Sequence, residues 1–122
     1  MLTNACVMCQ FNMYALSIND LLQMMKLSTG FDYDLAEFLE CGERIWMLKR
    51  GLNNLMGVTP SDDRLPRRML TPFTEGGAAG SVPDMDLMLK EYYTIRGLDA
   101  DGRPSQEKLE SLGLSDLADR LN

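Results

Sequence analysis

The sequence predicts an all-α fold, and three observations carry that prediction. Leu35, Phe38, Leu39, Ile45, Trp46, Leu52 and Leu55 recur at three- and four-residue steps along one long stretch. Ser17, Asp84 and Ser105 stand as helix-starting residues in front of further apolar runs. No strand-like alternation lasts more than a few residues, and no internal repeat is visible.

The elements follow in order. Ser17 with Asp20 three positions later reads as a capping box, opening a helix that runs to about Lys26. Leu21, Leu22, Met24, Met25 and Leu27 are its apolar side, and Gly30 its C-terminal stop. The second and longest helix is capped by Asp32 or Asp34 and ended by Gly57. Its interior glycines, Gly42 and Gly51, each cost ~1 kcal/mol against alanine, which points to close packing of another helix or to a kink. From Val58 to Pro83 periodicity fails: this stretch holds four of the five prolines, so it reads as a long irregular loop within one domain. A short helical turn is expected around Asp62 to Leu65, and "EGGAAGS" is the most flexible part. Asp84 caps a helix whose stripe is Met85, Met88, Leu89, Tyr92 and Ile95, ending at Gly97. Ser105 caps a short helix with Leu109 and Leu112, ended by Gly113, and Ser115 starts a last turn through Leu121.

Composition narrows the function classes. A chain of 122 residues, 45% hydrophobic and 25% charged, fits a single globular domain, residues 1–122. A net charge of −6 without a basic run argues against nucleic-acid binding. No apolar run approaches the roughly 18 residues of a membrane span. The N-terminus lacks the basic flank and apolar core of a signal peptide, so a cytoplasmic location is expected. Histidine is absent, which excludes Ser–His and Cys–His nucleophile pairs and a His-ligated zinc within the chain. Three cysteines cannot close a Cys-only tetrahedral site. Ten methionines are unusual; they fill core gaps or form a partner-facing surface, with Met8, Met13, Met24, Met25, Met47 and Met56 all in the first half.

Candidate chemistry is sparse. "DADGR", residues 99–103, lacks the oxygen ligands and closing Glu of a calcium loop and reads as a turn between helices. Asp62 and Asp63 suit helix capping and pairing with Arg64 or Arg67 better than acid–base work. "EGGAAGS" lacks the strand–loop–helix setting and the lysine of a phosphate loop. Cys6 and Cys9 are spaced as Cys-x-x-Cys, but no βαβ pattern surrounds them, and burial as small hydrophobes is the simpler reading of composition. Cys41 lies inside the long helix and reads the same way.

"ECGERIWMLKRGLNNLMGVTPSDDRLPRR", residues 40–68, and "MLKEYYTIRGLDADGRPSQEKLESLGL", residues 88–114, are the most specific parts of a resemblance that runs from about Asn4 to Gly113. The chain resembles the C-terminal helical domain of the tungsten-containing aldehyde:ferredoxin oxidoreductase family. That resemblance implies an all-α, multihelical fold. It also implies a parent reaction in which aldehyde and water give carboxylate, with electrons passing to ferredoxin.

Family members carry an Asp-x-x-Gly-Leu-Cys-x-Phe-like segment at the position of residues 4–11. Aligned on Cys9-Gln10-Phe11, the resemblance puts Cys9 on the fourth ligand of a 4Fe–4S cluster and Asn4 on the Asp that contacts a pterin of the tungsten or molybdenum cofactor. Met8 falls beside them as a second pterin-lining residue. The middle reads Cys6-Val7-Met8, so the family's Gly is absent, and Asn4 brings no charge. The other three cluster ligands belong to a Cys-x-x-Cys-x-x-x-Cys run that this chain does not contain. By this resemblance Cys6 is a bystander, no catalytic residue lies in the chain, and the partners are N-terminal and middle domains of a larger enzyme. The isolated chain is then expected to be inactive, free of cofactor and self-associating. The alternative is a cofactor-free helical module that uses a Met-rich face to bind a partner or itself.

Overall fold

The computed structural model describes residues 2–121. Among these residues it has six α-helices: α1 (Leu2–Ala5), α2 (Ile18–Thr29), α3 (Leu35–Leu55), α4 (Met85–Arg96), α5 (Gln106–Ser111) and α6 (Ser115–Leu121). Short 3-10 turns occur at Gln10–Tyr14, Pro60–Asp62 and Arg67–Leu70. The fold is all-α, as the sequence predicts.

Local chemistry sets the helix starts. Ser17 N–H donates to Asp20 Oδ2 at 2.8 Å, and Asp20 N–H donates back to Ser17 Oγ at 3.2 Å. Asp34, not Asp32, caps α3: it and Glu37 exchange backbone-to-carboxylate bonds of 2.8 Å in each direction. Asp32 pairs instead with Lys26 at 2.8 Å, on the surface, where such a pair contributes little. Asp84 and Ser105 cap α4 and α5 through Leu87 N–H and Lys108 N–H. Gly30 and Gly97 end α2 and α4 in the left-handed region, at φ of 76° and 67°.

Helix α3 is the spine because its two halves enter separate cores. Phe38, in its first half, joins Leu2 of α1 and Leu21 and Leu22 of α2. Met47, further along, is fully buried with Leu109, Leu112, Leu117 and Ala118 of the α5–α6 end. Gly51 explains why a costly residue sits mid-helix. A Cβ there would lie 2.6 Å from Leu117 Cδ2, so α6 approaches α3 through the missing side chain. Gly42 is buried as well.

Helix α4 corrects one expectation. Met85, Leu89 and Tyr92 are half-buried, but Met88 and Ile95 of the predicted stripe are 52% and 79% exposed, and no α4 residue is fully buried. A helix covered on one narrow side needs other ties. Trp46 Nε1–H donates to Tyr92 Oη at 2.8 Å, and Glu43 forms ion pairs with Arg96 at 3.7 Å and Lys108 at 3.0 Å.

The loop between α3 and α4 corrects two more. Its first helical turn lies at Pro60–Asp62 rather than Asp62–Leu65, because Asp62 reaches back to the Thr59 N–H at 2.9 Å and Pro60 supplies a preset φ. Asp63 does not pair with Arg64 or Arg67. Arg50 of α3 takes it in a two-pronged bond, Nη1 to Oδ1 at 2.7 Å and Nη2 to Oδ2 at 2.6 Å. Arg50 Nε–H also donates to the Gly102 carbonyl at 2.6 Å, and Tyr93 O–H donates to Asp63 Oδ2 at 2.5 Å. One guanidinium therefore joins α3, the loop, α4 and the 98–104 turn. That turn is built as expected: Asp99 Oδ1 accepts from the Asp101 and Arg103 N–H groups at 2.9 Å each. Beyond Asp63 the loop is exposed at every residue from 66 to 82.

Two expected outcomes test this junction. Gly102 has φ of 67°, and an added Cβ would lie 2.2 Å from Arg50 Nη2; Gly113 has φ of 69° with open space. Gly113→Ala should cost about 1–2 kcal/mol for the left-handed backbone alone. Gly102→Ala should cost about 1.5–3 kcal/mol more, the usual worth of hydrogen bonds to charged groups. Urea unfolding of both variants checks this, and equal losses would remove Arg50 from its central place.

The second concerns pH. The Arg50 hydrogen bonds, followed by that of Tyr93, hold the Asp63 carboxyl below the ordinary carboxylate range against the opposing pull of burial. A folded-state value below the unfolded one adds stability that is complete above the unfolded pKa, about 3.9, and lost as pH falls through the folded value. The difference in Tm between wild type and Asp63→Asn should thus be full at neutral pH and shrink below about pH 4. A gap that stays constant through the acid range would contradict the assignment.

Candidate functional site

Of the three residues singled out by sequence, Asn4 lies in α1, and Met8 and Cys9 lie on the short segment between α1 and α2. Its path is set by backbone bonds and one strained residue. Cys6 N–H donates to the Leu2 carbonyl at 2.9 Å and Met8 N–H to the Thr3 carbonyl at 2.8 Å, closing the end of α1. Val7 between them has φ of 55°, the one positive φ at a non-glycine among the described residues. A β-branched side chain in that region is a real outlier, costing on the order of 1–3 kcal/mol.

This turn separates the two thiols of the Cys-x-x-Cys spacing. Cys6 and Met8 pack onto the Leu2, Leu21, Leu22 and Phe38 cluster, while Val7 is 93% exposed and Cys9 is exposed. Burial pushes the Cys6 thiol above its ordinary value, and the neighbouring Cys41 pushes it further. Cys41 of α3 lines the same cavity as Cys6. Helix α3 brings them together across a sequence gap that no local pattern reveals.

Cys9 opens the 3-10 turn Gln10–Tyr14, its carbonyl accepting from Asn12 N–H at 3.1 Å. Phe11 and Tyr14 stack at 6.0 Å between ring centroids, and both are exposed. With Gln10 and Met13 they surround Cys9 in an open cleft of about 430 Å³. Asn4 points elsewhere: Lys49 Nζ of α3 donates to its Oδ1 at 2.7 Å. Sequence reading missed Lys49, because nothing near it in the chain marks a partner on α1.

Around Cys9 the chain places one thiol sulfur and no second cysteine. Cys9 offers one exposed sulfur, and among the described residues no group of three or more Cys, Asp and Glu side chains could hold a metal. No helix among them is long and apolar enough to cross a membrane.

Comparison with known proteins gives the chain a family. The chain matches, over residues 1–114, a family described as aldehyde ferredoxin oxidoreductase, domains 2 and 3. It is 38% identical over 117 residues to the tungsten-containing aldehyde ferredoxin oxidoreductase of Pyrococcus abyssi, covering 94% of this chain and 19% of that protein. The protein of the same description from Thermococcus kodakarensis is 37% identical, with the same coverage. A Pyrococcus furiosus protein described as an aliphatic sulfonate oxidoreductase, WOR-like subunit, is 34% identical over 97 residues, 72% of this chain and 16% of its own. The chain thus spans about a fifth of the first relatives' length. On the extent of the family match and the identity to these relatives, the chain belongs to the aldehyde ferredoxin oxidoreductase family, in the part formed by domains 2 and 3.

Proposed function

We propose that this chain serves as the C-terminal helical part of a tungstopterin- and 4Fe–4S-dependent aldehyde:ferredoxin oxidoreductase. The parent activity would convert aldehyde and water to carboxylate and send two electrons through the cluster to ferredoxin. The observation that carries this reading is the split of the two thiols. Cys9 alone stands exposed at an open cleft, where a cluster held mainly by another domain could reach it.

The bound cofactors would supply oxygen transfer and electron storage; the protein supplies position. In this reading Cys9 gives the cluster its fourth thiolate, and the Val7 turn aims it outward. Asn4 and Met8 take the pterin side. Lys49 already occupies the Asn4 amide oxygen, so the carboxamide N–H groups are what Asn4 offers a ligand, and Lys49 adds a positive charge beside it. Met8 supports the segment from beneath through its contact with the Leu2–Phe38 cluster. With one cluster ligand of four, the isolated chain would hold no cluster and catalyse nothing. Its exposed Phe11, Tyr14, Leu27 and Phe31 would lie against the other domains, or against a second copy when those are absent.

The rival reading, a cofactor-free helical module that uses a Met-rich face to bind a partner or itself, is indifferent to Cys9. Iron and sulfide per chain in the complete enzyme separate the two. Cys9→Ala should lower both, while Cys6→Ala and Cys41→Ala leave them at the wild-type level. Wild-type cluster content in the Cys9 variant would overturn the enzyme reading at this residue.

A further inference from the structure

A second set of sulfur atoms lies on the inner side of the same segment. Cys6 follows α1, Met25 belongs to α2 and Cys41 to α3, and all three line one cavity of about 160 Å³. Leu2, Phe38 and Ile45 form much of its wall, and no carboxylate lines it. Cys6 and Met25 also pack on the apolar cluster beneath.

We propose that Cys6, Cys41 and Met25 form a binding site for a soft monovalent d10 cation, namely Cu(I), held by two thiolates and one thioether. Ligand type argues for this ion. Thiolate and thioether sulfur select Cu(I) among biological metals, whereas calcium, magnesium and manganese take mostly oxygen ligands, and the side-chain oxygens lining this cavity are the two neutral hydroxyls of Thr29 and Tyr33. Structural zinc takes four ligands, and the cavity has three sulfurs and no histidine or carboxylate.

Electrostatics argues the same way. The apolar surroundings, and then the neighbouring Cys41, push the Cys6 thiol up. A cation bound between the sulfurs opposes both effects. The step balances without redox change: Cu(I) binds two thiols as thiolates, and two protons leave to solvent.

The site is separate from Cys9 and does not depend on the cluster assignment. Cys9 faces the outer cleft and lines no part of this cavity.

The test uses the full chain under anaerobic conditions, with Cu(I) titrated against the chelator bicinchoninate. Wild type should withhold one Cu(I) per chain. On the same unaltered protein, Cu(I) should protect Cys6 and Cys41 together from N-ethylmaleimide and leave Cys9 reactive, as read by mass spectrometry. Cys6→Ser and Cys41→Ser should each weaken binding by more than the roughly 10–100-fold that loss of an outer-shell partner costs a metal site. Met25→Leu, a swap close in volume, should weaken it less and remove one sulfur from the copper shell seen by X-ray absorption. Protection of Cys9 in place of the inner pair, wild-type affinity in either serine variant, or nitrogen or oxygen ligands in the shell would each overturn the proposal.

Discussion

Arg50 carries one charge and joins three segments, two of which hydrophobic burial leaves largely uncovered. Helix α4 has no fully buried residue and the loop after α3 is exposed from 66 to 82, while the 98–104 turn has Leu98 packed on the α5–α6 core and Gly102 and Pro104 buried. Apolar contact covers little of the first two. The guanidinium reaches each through charge-assisted bonds of 2.6–2.7 Å to Asp63 and Gly102, with Tyr93 closing the set on the same carboxylate. The Arg50 Cζ also lies 5.9 Å from the Tyr93 ring centroid, within cation–π range. Such a half-buried cluster is costly to break because each partner removed leaves another without a match, even though its net formation energy is small.

This junction gives a physical account of the two stretches that identify the family. Arg50 and Asp63 lie in residues 40–68, and Tyr93 and Gly102 lie in residues 88–114. Each stretch supplies half of one hydrogen-bonded unit. Glu43 repeats the pattern nearer the start of α3, pairing with Arg96 from α4 and Lys108 from α5. What looks like a pair of linear motifs is therefore a set of polar clasps between α3 and everything that follows it.

The helices were legible in the sequence because their determinants are local. Ser17 with Asp20, Asp84, Ser105, Gly30 and Gly97 act within one turn of where they stand, and each occupies the role its position suggests. Errors arose where a partner is distant. Asp63 was assigned its sequence neighbours, yet its partners lie 13 and 30 positions away. The α4 stripe overstated burial because periodicity says which residues share a face and not how much of that face another element covers. Helix α1, four residues long, is too short to show any period at all. In the site, the reading that Cys6 and Cys9 do not act as one Cys-x-x-Cys pair rests on sequence, and the positive φ at Val7 adds how the chain parts them: Cys6 packs on the Leu2–Phe38 cluster and Cys9 is exposed.

That conformation also links the two ends of the molecule through α3. The N-terminal segment is tied to α3 by Leu2 on Phe38 and by Lys49 on Asn4. Lys49 is the residue before Arg50, so adjacent positions on one helix serve the candidate site and the central junction. Their side chains leave the helix about 100° apart, as 3.6 residues per turn requires, and so reach different neighbours from the same backbone. A shift of α3 that weakened the Arg50 clasp would also move the Lys49 anchor under Asn4. The strain at Val7 needs such anchors, since a left-handed β-branched residue persists only where its surroundings over-determine it. The bonds of Cys6, Val7 and Met8 N–H to the carbonyls of Leu2, Asn4 and Thr3 provide that support, on a helix that Leu2 and Asn4 tie to α3. The outward placement of Cys9 is in this sense a property of α3 as much as of the segment that contains it.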